Sequence, residues 1–259
     1  MNKLYRCLPT TFIVAIITVF ATNAYAGAGG HDDGVPPVAA PNYNPGVIQP
    51  YAKIDGKSYG DWGAEWWKWA LSVPYAQSPV VDTTGQYGSQ NQKGHVWFLA
   101  GTFGTTVERE ITIPDDKYIF FPLVNILNDH PCPDPTFGPA LGQTMEEFLT
   151  LGVAPYIDPW VTEKDNTLSA KVDGVKLKNL LYYRGISKLT KFTADPSQIA
   201  IDPCITGEKQ VGVSDGFWIM LAPLKPGKHE IKFTAFALSK PWPLDINVTY
   251  HVTISKEAE

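Results

Sequence analysis

The chain has 259 residues, 44% of them hydrophobic, and a formal net charge of −5 at pH 7. A mildly acidic chain has no basic footprint for nucleic acid and no electrostatic pull toward anionic lipid heads. Its length is enough to bury a core in one large β-rich domain or two small ones.

Lys3 and Arg6 open the sequence, an apolar run follows from Phe12 to Phe20, and Ala24-Tyr25-Ala26 supplies an A-x-A cleavage site. That order predicts a secretory signal peptide over residues 1–26, hence a product exported to the periplasm or beyond. Cys7 precedes the apolar run, so it is not placed for a lipid anchor. Cleavage removes two basic residues and no acidic one, taking the charge to −7. No later apolar stretch is long enough to span a bilayer. Residues 27–44, rich in Gly, Pro, Ala and Asn, are expected to form a flexible mature N-terminus, with His31-Asp32-Asp33 as ordinary polar residues of that tail. A single domain is expected over residues 45–255. Two cysteines remain after cleavage, Cys132 and Cys204, both beside prolines; in an oxidising compartment they read as a disulfide between two loops.

The stretch Ser58–Pro74 predicts a tryptophan-rich helix. Ser58 with Asp61 forms a capping-box pattern, and Pro74 disfavours continuation. At about 100° per residue, Trp62, Trp66, Trp69, Ala70 and Val73 form one stripe, opposite Asp61, Glu65, Lys68 and Ser72. Trp67 and Leu71 widen the apolar arc. Large apolar residues at helical spacing belong to a core, with indole N–H groups finding internal partners; the competing reading is an aromatic platform for a sugar ring, with Trp67 its exposed member. Glu65 and Lys68 read as a solvated pair.

Residues 79–94 form a polar loop. His95–Phe103 is a continuous apolar run suited to a strand buried on both faces. Val107–Ile113 alternates, placing Val107, Arg109, Ile111 and Ile113 on one side and Glu108, Glu110 and Thr112 on the other. A turn at Pro114–Lys117 leads to a buried strand over Tyr118–Val124, in which Pro122 marks an edge or bulge. After a proline-rich loop over Asn128–Gly142, a short helix is expected from Thr144 to a glycine stop at Gly152. Asp173-Gly174 predicts a type I′ hairpin turn. Phe217–Leu221 reads as a buried strand. His229–Ala237 and Ile246–Ile254 alternate, with Ile231, Phe233 and Ala235 inward on the first and Ile246, Val248, Tyr250, Val252 and Ile254 on the second. Short strands separated by turn signals, with only two helices, define a mainly β fold: a β-sandwich, jelly-roll or Ig-like, with the tryptophan-rich N-terminal helix and one further short helix.

The order of motifs, YGDWGAEWWKWALSVP, DTTG, GHVWFLAGTFG, IPDDKYIFFPLVN, DGFWIMLAPLKPGKHEIKF and VTYHVTI, resembles a family of uncharacterised secreted bacterial proteins over most of the mature chain. The resemblance implies export and a shared fold, and no activity. Members of that family often carry one cysteine near the position of Gly88 and another near Ile111, so this chain lacks any bridge they form.

The catalytic patterns are thin. There is no G-x-S-x-G elbow, no H-E-x-x-H and no C-x-x-C. His229 follows a turn and His251 lies on an outward strand face, so neither forms a metal cluster by spacing. A glycoside hydrolase needs two carboxyl groups across a cleft; Asp82, Glu108, Glu110, Asp129 and Asp215 are available, though Asp82 and Asp215 read first as turn residues and Glu108 and Glu110 as a solvated face. Asn128, Asp129 and Asp134 are weak calcium candidates around Cys132, with structural calcium the sole cofactor considered. Arg109, in phase with its apolar neighbours, is expected to point inward and to need a carboxylate partner, Asp82 or Glu65, either as a structural ion pair or as an anion clamp.

The sequence therefore predicts a non-enzymatic exported module that binds carbohydrate or another envelope protein, with Trp67, Trp97, Asp82, Arg109 and Asn128 as ligand-binding residues. A polysaccharide hydrolase and a structural subunit of an extracellular assembly are the alternatives.

Overall fold

A computed structural model of the protein describes residue 44 and residues 46–238 and 243–256. The predicted signal peptide and the His31-Asp32-Asp33 stretch lie outside the described residues. The described strands are β1 (Val96–Phe98), β2 (Thr106–Pro114), β3 (Tyr118–His130), β4 (Thr167–Val172), β5 (Val175–Lys176), β6 (Arg184–Ile186), β7 (Thr190–Thr193), β8 (Lys209–Leu221), β9 (Gly227–Ala237) and β10 (Leu244–Ser255). The helices are α1 (Tyr59–Ala70), α2 (Met145–Ile157) and the single-turn α3 (Pro159–Thr162).

The strands form two mixed sheets. One runs β1-β3-β8-β6, with β7 also on β8; the other runs β2-β10-β9-β4-β5. Phe121 of β3 stacks on Phe233 of β9 at 5.1 Å between ring centres, so the sheets meet face to face through alternate inward residues. This is the expected mainly β sandwich. Two pairings, β1 with β3 and β2 with β10, are parallel; both departures fall at sheet edges, unlike the antiparallel jelly-roll or Ig pattern.

The other face of the first sheet carries α1. The capping box forms as its residues dictate: Asp61 N–H donates to Ser58 Oγ, and Ser58 N–H to the Asp61 carboxylate. Trp62 meets Phe98, and Trp66 meets Trp218, which stacks on Phe120 at 5.1 Å. Such close approach needs a helix with little width on that side. A Cβ on Gly60 would lie 1.8 Å from the Ile186 carbonyl oxygen, so only glycine fits there.

The alternation expected for β2, β9 and β10 is observed, with Val107, Arg109, Ile111 and Ile113 buried on β2 and Ile246 to Ile254 buried on β10. The Asp173-Gly174 turn has φ of 51° and 76°, as a type I′ turn requires. Four expectations are corrected. The His95–Phe103 run is a strand only over Val96–Phe98, because the Ala100 and Gly101 carbonyls turn to the Arg109 guanidinium. The strand through Pro122 does not end at Val124 but runs 13 residues to His130, taking in the start of the loop expected from Asn128, while the bulge expected at Pro122 is present as a register shift between Pro122 and Val124. Gly152 does not stop its helix; α2 runs to Ile157, and a Cβ added at Gly152 would lie 2.1 Å from Asn128 Nδ2, so the glycine makes room for that side chain. Asp215 is not a turn residue: it is fully buried in the middle of the 13-residue β8.

Candidate functional site

Arg109 is 1% exposed, and every N–H of its guanidinium group faces a protein acceptor. Nε donates to the Asp82 carbonyl at 2.8 Å; Nη1 donates to Ala100 O, Gly101 O and Tyr250 Oη; Nη2 donates to Val80 O and Gly101 O. The expected carboxylate partner is absent: Glu65 pairs with Lys68 and Lys57, and Asp82 contributes only its main chain. Five oriented oxygen dipoles hold this buried cation in place of an anion. No donor is left for a ligand. The Asp82 carboxylate accepts from the N–H groups of Thr84 and Tyr87 and from the Thr84 hydroxyl. Burial pushes its pKa up, but those hydrogen bonds overcome the burial and leave it below the usual carboxylate value. The loop it ties covers the outer edge of β2, where Glu110 N–H donates to Thr84 O.

The tryptophans are mostly used internally. The indole N–H groups of Trp62, Trp66, Trp69 and Trp218 donate to the carbonyls of Ile54, Leu99, Gln90 and Gly185. Trp67 is half-buried against Trp66 and against Leu71, Leu127, Phe192 and Ile205. Trp97 alternates with Val96 and Phe98 and so faces away from α1. The indole N–H groups of Trp67 and Trp97 are buried without a hydrogen-bond partner. The fold places these two residues on opposite faces of the first sheet, so they form no common platform.

Asn128 points to α2 and donates to Leu149 O, while Asp129, one residue on, faces the other side of β3. Asp134 accepts from the N–H and hydroxyl of Thr136. The three calcium candidates therefore do not converge. Asp129 instead meets Asp202, which the sequence reading missed. Oxygen atoms of both and Cys204 Sγ lie within 4.8 Å of one another, and a disulfide joins Cys132 to Cys204. Gln210 Nε2 donates to Asp129 Oδ2 at 2.7 Å and to the carbonyls of Pro131 and Cys204; Cys204 N–H donates to Asp202 Oδ1. No cation of the described residues lies within ion-pairing distance of either carboxyl. Burial and the Asp202 charge push the Asp129 carboxyl up to about 8, and burial raises Asp202 as well. At neutral pH the pair shares a proton. The disulfide brings them together, because Asp129 stands three residues before Cys132 and Asp202 two before Cys204.

The other acids have partners of their own. Asp215 takes a forked contact from Arg184, with Nη2 at 2.6 Å, and Arg184 also reaches Asp158. Glu108 pairs with His251 at 2.5 Å on the outer face of the second sheet, and Asp173 pairs with His229 at 2.7 Å. Glu110 lies exposed on the outer face of β2. None of the five acids named from the sequence pairs with another across a cleft.

The described residues do form an open groove of about 730 Å³ beside β4, β5 and the turn at Leu180–Tyr183. Its floor is Trp160, Leu168, Leu177 and Leu180; its rim carries Lys176, Lys178, Asn179 and Tyr182. These residues all come from one stretch, residues 160–182, which folds back on itself through β4, the Asp173-Gly174 turn and β5. Comparison of the chain with protein-family models, with curated proteins and with solved structures finds no match in any of the three.

Proposed function

We propose that the protein is an exported, non-enzymatic binding module of the cell envelope, acting on carbohydrate. The observation that carries this reading is how its polar groups are distributed. The acids weighed for catalysis are held in a turn, shared with another acid, paired with Arg184 or His251, or isolated on a sheet face. The groove beside β4 and β5, by contrast, combines aromatic, amide and lysine side chains with no carboxylate in its lining. The disulfide supports export, and no helix of the described residues is long and apolar enough to cross a membrane. Kinship with the secreted bacterial family is part of the proposal. It is supported by one geometric coincidence: Gly88 and Ile111, near which that family often carries cysteines, are neighbours in the fold, a Cβ on Gly88 lying 2.7 Å from Ile111 Cδ1.

The test is a melting-temperature and tryptophan-fluorescence screen of the mature protein against polysaccharides and peptidoglycan fragments, with product analysis on the same samples. Saturable binding without turnover is expected. Release of shortened sugar would favour a hydrolase, and no response to any sugar would point to a protein partner.

A further inference from the structure

We propose that the groove between β4 and the Leu180–Tyr183 turn is the binding site, and that its ligand is an acidic oligosaccharide, one bearing uronate or sulfate groups. This rests on the binding-module reading above and goes beyond it in naming place and chemistry.

Charge is the first argument. The protein is net negative, yet the lining contains Lys176 and Lys178 and no acidic residue. Both lysines are exposed, and neither is in an ion pair among the described residues. Glu163 and Asp165, on the loop before β4, do not line the groove. Two unneutralised cations on one wall favour an anionic ligand.

The main chain supplies the second argument. Lys178 is clamped on both sides by one side chain: its N–H donates to Asn44 Oδ1 at 2.7 Å, and its carbonyl accepts from Asn44 Nδ2 at 2.8 Å. The next residue, Asn179, holds a left-handed φ of 54°. Asparagine adopts that region more readily than most residues, and here it turns the chain from β5 into the Leu180–Tyr183 turn. Across the groove, the Ala170 carbonyl accepts from Leu177 N–H, so the main chain of Ala170 faces β5. By the strand's alternation Leu168 faces the same way, beyond the end of the two-residue β5. This part of β4, past the end of β5, borders the groove.

Third, Tyr182 stands 52% exposed at the rim, while the aromatic rings of the tryptophan helix are packed away. An exposed ring beside amides and cations matches a sugar's own mixture of apolar C–H face, hydroxyls and charge.

The experiment is calorimetric titration of the mature protein with a uronate oligosaccharide, its neutral counterpart of equal length, a sulfated oligosaccharide and an acidic peptide. It is repeated on Lys176→Gln/Lys178→Gln, on Tyr182→Ala and on Lys191→Gln as a distant control. Melting curves establish that each variant is folded; all three sites are exposed, and glutamine at 178 leaves the Asn44 bonds to the main chain in place. The expected result is binding of an acidic oligosaccharide, weakened by about tenfold or more in the double lysine variant and in Tyr182→Ala, unchanged in the control, and weaker in high salt. Uronate against sulfate then names the anion. Sugar binding indifferent to these variants would overturn the site and leave the module reading intact. Equal binding of the neutral sugar would overturn the anionic class, and binding of the acidic peptide alone would replace the occupant. No binding of any probe would remove both readings.

Discussion

Two charged centres lie buried in this fold and are handled in opposite ways. The Arg109 guanidinium is enclosed by five oxygen atoms, from Val80, Asp82, Ala100, Gly101 and Tyr250. Asp129 has no cation and one strong donor, Gln210, and its neighbour Asp202 is another acid. The first centre surrounds its guanidinium with acceptors; the second offers its carboxyl few donors. Burial is the largest cause of the upward Asp129 shift, and the donors around that carboxyl do not offset it. The arginine joins β2 to β10 through Tyr250 and to the loops at 80–82 and 100–101, so it acts as a brace. The acid pair joins the end of β3 to the Pro203-Cys204 loop.

Breaking the brace should have the largest effect. Arg109→Met leaves those acceptors buried and unpaired, with an expected loss of about 3–5 kcal/mol. Urea unfolding measures it, and Arg109→Lys should rescue only part, since an ammonium has fewer donors and no fork. Next in size is Arg184→Met, which strands the buried Asp215 carboxylate. About 2–3 kcal/mol is expected at neutral pH, and the same urea unfolding experiment checks it. The smallest effect belongs to Lys68→Gln, which removes the exposed pair with Glu65 at 2.9 Å and should change stability by a few tenths of a kcal/mol.

Much of the architecture was legible in the sequence because it rests on periodicity. The inward phase of Arg109 followed from Val107, Ile111 and Ile113, and the start of α1 from Ser58 and Asp61. What satisfies Arg109 was not legible, since main-chain carbonyls carry no residue signature. Asp215-Gly216 read as a turn because the dipeptide is common there; Val211 and Val213 before it, in phase with Phe217 and the apolar run to Leu221, show that the strand continues through it. Asp202 was findable from its place beside Cys204 once the disulfide was assumed. The groove was not, because its lining, though drawn from residues 160–182 alone, takes shape only once α3, β4, β5 and the Leu180–Tyr183 turn have packed together.

The measurement that bears most directly on the contrast between the two centres is the stability of the wild type and of Asp129→Asn across pH. The folded state holds a proton on Asp129 up to about pH 8, whereas the unfolded chain releases it near pH 4. The stabilisation is thus complete in acid and lost as pH rises through that window. Below about pH 4 the opposite limb appears, because Asp61 and Asp82, both held below their usual values, take up protons on unfolding. The expected result is a wild-type melting temperature that falls from about pH 5 to about pH 8 and a slope that is largely abolished in Asp129→Asn. A flat wild-type profile over that range, or an unchanged slope in the variant, would contradict a neutral Asp129 at the centre of this fold.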